Sequence, residues 1–101
     1  MNETKLEKAG ERPGAKFALG QTMITPAALN VLTHGDIWTA LGRHVSGDWG
    51  ECGPEDSAEN DLSVREGFRI FSVYRSADGV KFWVITEADR SVTTVLLPED
   101  Y

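Results

Sequence analysis

The chain holds one cysteine, Cys52, among its 101 residues. A lone thiol excludes an internal disulfide, and with no second cysteine a thiolate metal cage is not expected. That usage fits a reducing compartment. Bases are also scarce: ten Lys and Arg stand against sixteen Asp and Glu, a net charge of −6. The surplus of acid weighs against a generic nucleic-acid binder, because cations on phosphates supply most of that affinity. No apolar run approaches the ~18 residues needed to cross a bilayer. Residues 1–16 are polar and lack the apolar core of a signal peptide. The expectation is a cytoplasmic protein with no membrane partner, no cofactor and no metal.

What is present suffices for one domain. Hydrophobic residues make up 41% of the chain, and a chain of this size buries about two thirds of its unfolded surface. Residues 1–16 alternate acids and bases with Gly and Pro and carry a single Leu. They read as a flexible tail, with at most an unanchored helix over residues 3–9. The domain is expected over residues 17–101.

Phe17, Leu19, Met23 and Ile24 form the first apolar cluster, an extended segment pinned to the core or added to a sheet edge. Thr25-Pro26 is a helix start: Thr caps and Pro suits the first turn. This predicts a helix over residues 26–33, stopped at Gly35. Asp36 is read as the next cap, and Ile37, Trp38, Leu41 and Val45 as one helical stripe running to 45. Gly47-Asp48-Trp49-Gly50 is a loop. Pro54 opens a third helix with Glu55 and Asp56 in its first turn, closed by Gly67.

Residues 68–101 read as three strands. Asp78-Gly79 signals a hairpin, residues 80–87 are apolar on both faces as a central strand should be, and Pro98 ends the last strand. Two-residue turns at Asp78-Gly79 and Asp89-Arg90 align Val73, Val84 and Val95 on the helix-covered face, with Phe71, Phe82 and Leu97. The other face then shows Tyr74, Trp83, Leu96, Ser72, Ile85 and Thr94. One residue more or less in either turn reverses part of this. The fold class is α+β: two or three short helices followed by a three-stranded antiparallel β-meander.

No motif specifies a reaction. His44 titrates nearest neutrality and is a candidate acid/base; the plainer reading is a helix-end histidine facing the dipole. His34 is a weaker version of the same. Arg75, Arg90 and Lys81, with His44, Ser72 and Thr94, have the residue types of a metal-independent RNase site: a base, cations for phosphate charge and an orienting hydroxyl. The plainer reading is solvated charges and cross-strand threonines. Glu87 and Asp89 flank a turn and read as an ion pair and an Asx turn. Trp49, in a Gly-rich loop, is a plug over the core edge or a partner anchor. Tyr74 and Trp83, if exposed together, make a binding face. Glu55, Asp56, Glu59 and Asp61 form an acidic surface, a solvated helix face or a mimic of a nucleic-acid backbone.

Several strings carry a resemblance: Phe17-x-Leu19-Gly20, Thr25-Pro26-x-Ala28-Leu29, His44-x-x-Gly47-Asp48-Trp49-Gly50, Glu59-Asn60-Asp61, and the block from Trp83 through Glu87-Ala88-Asp89-Arg90-Ser91 to Leu96-Leu97-Pro98-Glu99-Asp100-Tyr101. Over residues 17–101 the chain resembles a group of small bacterial, plasmid-related proteins of unassigned function. The resemblance implies a mobile-element setting and no chemistry. Ala27 departs from the glycine expected there. In architecture alone, helices before an antiparallel meander also resemble barnase/colicin/RelE-like RNases, and likeness of fold does not transfer function. Three functions follow as expectations: a small regulatory module binding a protein partner, a metal-independent RNase or toxin-like enzyme, and an acidic DNA mimic. Unpaired sheet edges also allow a homodimer.

Overall fold

A computed structural model describes residues 14–101. The tail helix expected over residues 3–9 lies outside the described residues. Strand β1 (Gln21–Ile24) leads into helix α1 (Pro26–Val31), α2 (His34–Val45) and α3 (Pro54–Glu66). Strands β2 (Ile70–Arg75), β3 (Lys81–Thr86) and β4 (Val92–Leu96) follow, and a 3₁₀ turn spans Pro98–Asp100. The fold is α+β, but its sheet has four strands rather than three. Their order is β1-β4-β3-β2, and β1 runs parallel to β4, so the sheet is mixed.

Local chemistry sets the helix ends. The Thr25 hydroxyl accepts from the Ala28 N–H at 3.2 Å, and Pro26 occupies the first turn. The next helix begins three residues earlier than the Asp36 cap predicts. Thr33 is the cap, and Asp36 returns its carboxylate to the Thr33 N–H, closing a capping box. Asp36 also accepts the Ala77 N–H at 3.0 Å, tying α2 to the β2–β3 hairpin. These backbone bonds hold its carboxyl below the usual range. Trp38 falls outside the buried stripe, which is Ile37, Ala40, Leu41, His44 and Val45; Trp38 is 57% exposed.

The register corrects the β2 assignment. The hairpin closes with a three-residue loop, Ala77-Asp78-Gly79, between Ser76 and Val80. Gly79 takes the left-handed conformation at φ 86° that such loops require. Ser72 therefore pairs with Val84, and Val73 with Trp83. The β3–β4 register is the expected one, with Val84 opposite Val95. Tyr74, Phe82, Val84, Val95 and Leu97 meet Ala28, Leu32, Ile37, Ala40, Leu41 and Val45 in one core on the helix-covered face. The other face carries Phe71, Val73, Trp83, Ile85, Thr94 and Leu96, with Met23 opposite Thr94. None of its residues belongs to that core cluster.

Candidate functional site

His44 sits on the inward stripe of α2, and the sheet beneath it supplies hydroxyls where a core strand usually supplies methyls. Its Nδ1 lies 2.6 Å from Ser72 Oγ and its Nε2 2.9 Å from Thr86 Oγ1. Thr86 Oγ1 lies 2.7 Å from Thr93 Oγ1, which donates to the Leu19 carbonyl at 2.7 Å. That carbonyl can only accept, so the order of protons is determined. Thr93 gives its one proton to Leu19, Thr86 gives its proton to Thr93, and Thr86 accepts Nε2–H. Nδ1 is left as the acceptor for the Ser72 hydroxyl. The imidazole is neutral: burial, with the nearby Arg90 charge, pushes its pKa down from 6.5 to about 3. Phe17 meets the ring edge-on at 5.2 Å and Trp49 at 6.0 Å.

A serine donating to a neutral histidine has the outline of a nucleophile and its base. Here both residues have no solvent-accessible surface. No substrate reaches them in this conformation, and what the chain of hydroxyls does is satisfy polar groups inside the core.

The other residues of the RNase set do not gather at His44. Thr94 faces the opposite side of the sheet. Arg75 pairs with Glu51 at 2.9 Å and donates to the Gly79 carbonyl. Lys81 is exposed at the hairpin end, and His34 is exposed in the first turn of α2. Arg90 lies near enough to weigh on the imidazole, yet its guanidinium is occupied with carbonyls: Ser63 at 2.8 Å, Phe68 at 2.7 Å, Glu87 and Ala88 at 3.2 Å. It caps the C-terminus of α3, where a cation also meets the negative end of the dipole. Arg90→Ala is expected to speed amide hydrogen exchange over residues 63–68 and to cost about 1–3 kcal/mol in a urea titration. Arg90→Lys should restore little, because one ammonium cannot span those carbonyls as a planar fork does.

Of the three aromatic anchors read from sequence, two are interior. Trp49 is 6% exposed; it stacks on Phe17 and donates Nε1–H to Asp61 at 3.0 Å. It is the plug. Tyr74 is 1% exposed, its hydroxyl donating to the Asp48 carbonyl at 2.7 Å, and burial raises its pKa. Trp83 alone remains at a surface, half-buried on the uncovered face. Glu55, Asp56 and Glu59 are exposed along α3, while Asp61 is engaged by Trp49. Glu87 lies 3.7 Å from Arg69, and Asp89 accepts the Ser91 N–H and hydroxyl as an Asx turn. Cys52 is half-buried against the Phe71 carbonyl, and burial raises its pKa, away from a reactive thiolate. Among the described residues no group of three His, Cys, Asp or Glu is placed to hold a metal ion. No helix among them is long and apolar enough to cross a membrane.

Two surfaces among the described residues bear on a ligand or partner. A cleft of about 460 Å³ opens between α2 and the β2–β3 hairpin. Its charged groups are Asp36, Arg43 and Arg75. Asp36 is spent on backbone bonds, Arg43 pairs with Asp48 at 2.7 Å, and Arg75 pairs with Glu51, so none is left over for a ligand. The second surface is the uncovered sheet face. Trp83 stands at its middle, edge-on to Phe71 at 4.9 Å and to Tyr101 at 5.7 Å. Val73 and Leu96 pair with Trp83 on either side, and Ile85 pairs with Phe71. Arg69, Arg75 and Lys81 stand at its margins. No protein-family model matches the chain, and no curated protein or solved structure matches it either.

Proposed function

We propose that the protein is a small interaction module whose uncovered sheet face receives a protein partner, with Trp83 as the anchor. The carrying observation is the asymmetry of the sheet. One face holds the whole core cluster, while the other presents half-buried Phe71, Val73 and Trp83, with Ile85 and Leu96 buried beneath them. A contiguous apolar patch rimmed by charge is how docking surfaces present themselves. At its border Arg69 is paired with Glu87 and Arg75 with Glu51, and Lys81 is the cation left without a salt bridge among the described residues. That favours a partner with an acid beside its apolar side chains. The three rings pack against one another edge to face, which takes up part of the ring surface that a base would stack on. The mobile-element setting implied by the sequence resemblance belongs to the same proposal.

Trp83→Ser tests it. The substitution is expected to abolish capture of a partner by the immobilised protein and to lower affinity at least about a hundredfold, in the range of a binding hot spot. Lys81→Glu should weaken the same complex more at low salt than at high salt. A partner held equally by the wild type and Trp83→Ser would place the function elsewhere. Binding of single-stranded RNA lost on Trp83→Ser would keep the face and replace the partner class.

A further inference from the structure

The two edges of the sheet are treated differently. At β2 the outer backbone is occupied: Glu51 N–H donates to the Val73 carbonyl at 2.7 Å, and Val73 N–H to the Trp49 carbonyl at 3.3 Å. Asn60 then reaches from α3 to hold Phe71, donating to its carbonyl at 2.8 Å and accepting its N–H at 3.1 Å. At β1 the pattern stops. Gln21 N–H donates to the Ser91 carbonyl at 2.9 Å and Thr25 N–H to the Val95 carbonyl at 3.0 Å, so odd-numbered residues face β4. The N–H and C=O of Thr22 and Ile24 therefore point outward. Among the described residues nothing pairs with them.

Folded proteins usually guard such an edge with Lys, Pro, a bulge or a covering loop. β1 has none of these within it. Residues 17–35 contain no Asp, Glu, Lys or Arg, although 26% of the chain is charged. The same segment exposes Met23, Leu29 and Val31, three of the seven large hydrophobics exposed among the described residues. A two-fold contact sets the same patch of both copies against itself, and a patch without charge meets its copy without like-charge repulsion.

We infer that β1 joins β1 of a second copy, edge to edge and antiparallel, about a two-fold axis passing Met23. The geometry is specific. Thr22 faces Ile24 of the second copy as a hydrogen-bonded pair, and Ile24 faces Thr22, which gives four N–H···O=C bonds. Met23 faces its own counterpart as a non-hydrogen-bonded pair, with Cα atoms about 4.5 Å apart. The result is one continuous sheet with a docking face on each half. This goes beyond the module proposed above and uses a different surface, since Trp83 stays free on the joined sheet.

The joint is short, at the low end of specific interfaces, so the test spans micromolar to millimolar protein. Light scattering on sized fractions should show wild type passing from monomer to dimer with concentration. Met23→Lys should weaken the dimer by more than about tenfold and leave the circular dichroism of the monomer unchanged, because Met23 is 48% exposed. In a Cys52→Ser background, Met23→Cys should oxidise to a covalent dimer, since facing Cα atoms at that spacing fall within disulfide reach. Thr22→Cys, whose counterpart is Ile24, should not. If Met23→Lys fails to fold, the cysteine pair decides the matter alone. A wild type monomeric at millimolar concentration overturns the inference. So does a dimer indifferent to Met23→Lys, cross-linking equal at both cysteine positions, or a dimer lost in Trp83→Ser instead.

Discussion

Gly50→Ala is expected to cost more than about 3 kcal/mol, a large part of the 5–15 kcal/mol that holds a domain of this kind together. Gly50 closes the Gly47-Asp48-Trp49-Gly50 loop at φ 70° and lies directly on β2. A methyl group there would overlap the Val73 carbonyl oxygen and the Tyr74 ring. Backbone and a buried ring cannot give way cheaply, and the left-handed conformation adds its own strain for any other residue. The loop would have to lift, carrying the Trp49 plug and the backbone bonds that close the β2 edge. Thermal unfolding should shift down by roughly 12 °C or more, at ~4–8 °C per kcal/mol for a chain this size. Gly35→Ala is the control. Gly35 lies in the first turn of α2, and a methyl group there meets only the Thr33 hydroxyl at an ordinary 3.7 Å. That variant should be unchanged or slightly more stable.

The second large effect belongs to His44. The unfolded chain takes up a proton at this residue near pH 6.5, while the folded chain refuses it until about pH 3. Between those values the unfolded state binds more protons, so stability rises with pH and falls as the solution is acidified. The slope is about 1.4 kcal/mol per pH unit, giving a loss of about 2 kcal/mol at pH 5 relative to neutral pH. Above pH 6.5 both states are neutral and the term vanishes. Asp36, Asp48 and Asp89 have lowered pKa values and also weaken the fold in acid, but below the ordinary carboxylate range. The window from pH 6 to 4.5 therefore isolates the imidazole. Urea midpoints measured across it should slope in wild type and flatten in His44→Gln. At pH 7 His44→Ala should cost about 3–5 kcal/mol, from a cavity plus stranded Ser72 and Thr86 hydroxyls. A flat wild-type profile would mean that solvent reaches the ring.

How much of this was legible in the sequence depended on whether the signal was local. Thr25-Pro26, Pro54 and Gly67 mark helix ends because caps and special dihedrals act on neighbouring residues. The Thr33-x-x-Asp36 box was equally local, and reading Asp36 as the cap overlooked its partner. The β3–β4 register was recoverable although the connection is longer than two residues: the loop stays centred on Asp89-Arg90, with Arg90 itself at φ 62°. β2 was not recoverable, since Asp78-Gly79 fits a two-residue or a three-residue loop and only the structure shows which. That single residue turns Ser72 and Tyr74 inward and Phe71 and Val73 outward, and with them the identity of the binding face. The pairing of β1 with β4 joins opposite ends of the domain, which no short window can reveal. His44 had a faint signal, its place in the Ile37, Leu41, Val45 stripe. Of its two hydroxyl partners, Ser72 was grouped with it by residue type alone, and Thr86 had no signal.

The run of protons from Ser72 to the Leu19 carbonyl has a direction, and that direction is set at one end. Were the segment ahead of β1 to peel away, Thr93 would lose its acceptor, and each hydroxyl behind it would be free to swing round. The imidazole would then be free to carry its hydrogen on the opposite nitrogen. Whether that first stretch of chain is seated is thus registered at the imidazole beneath Trp49, both through the hydroxyls and through Phe17 of the same stretch, which meets the ring edge-on.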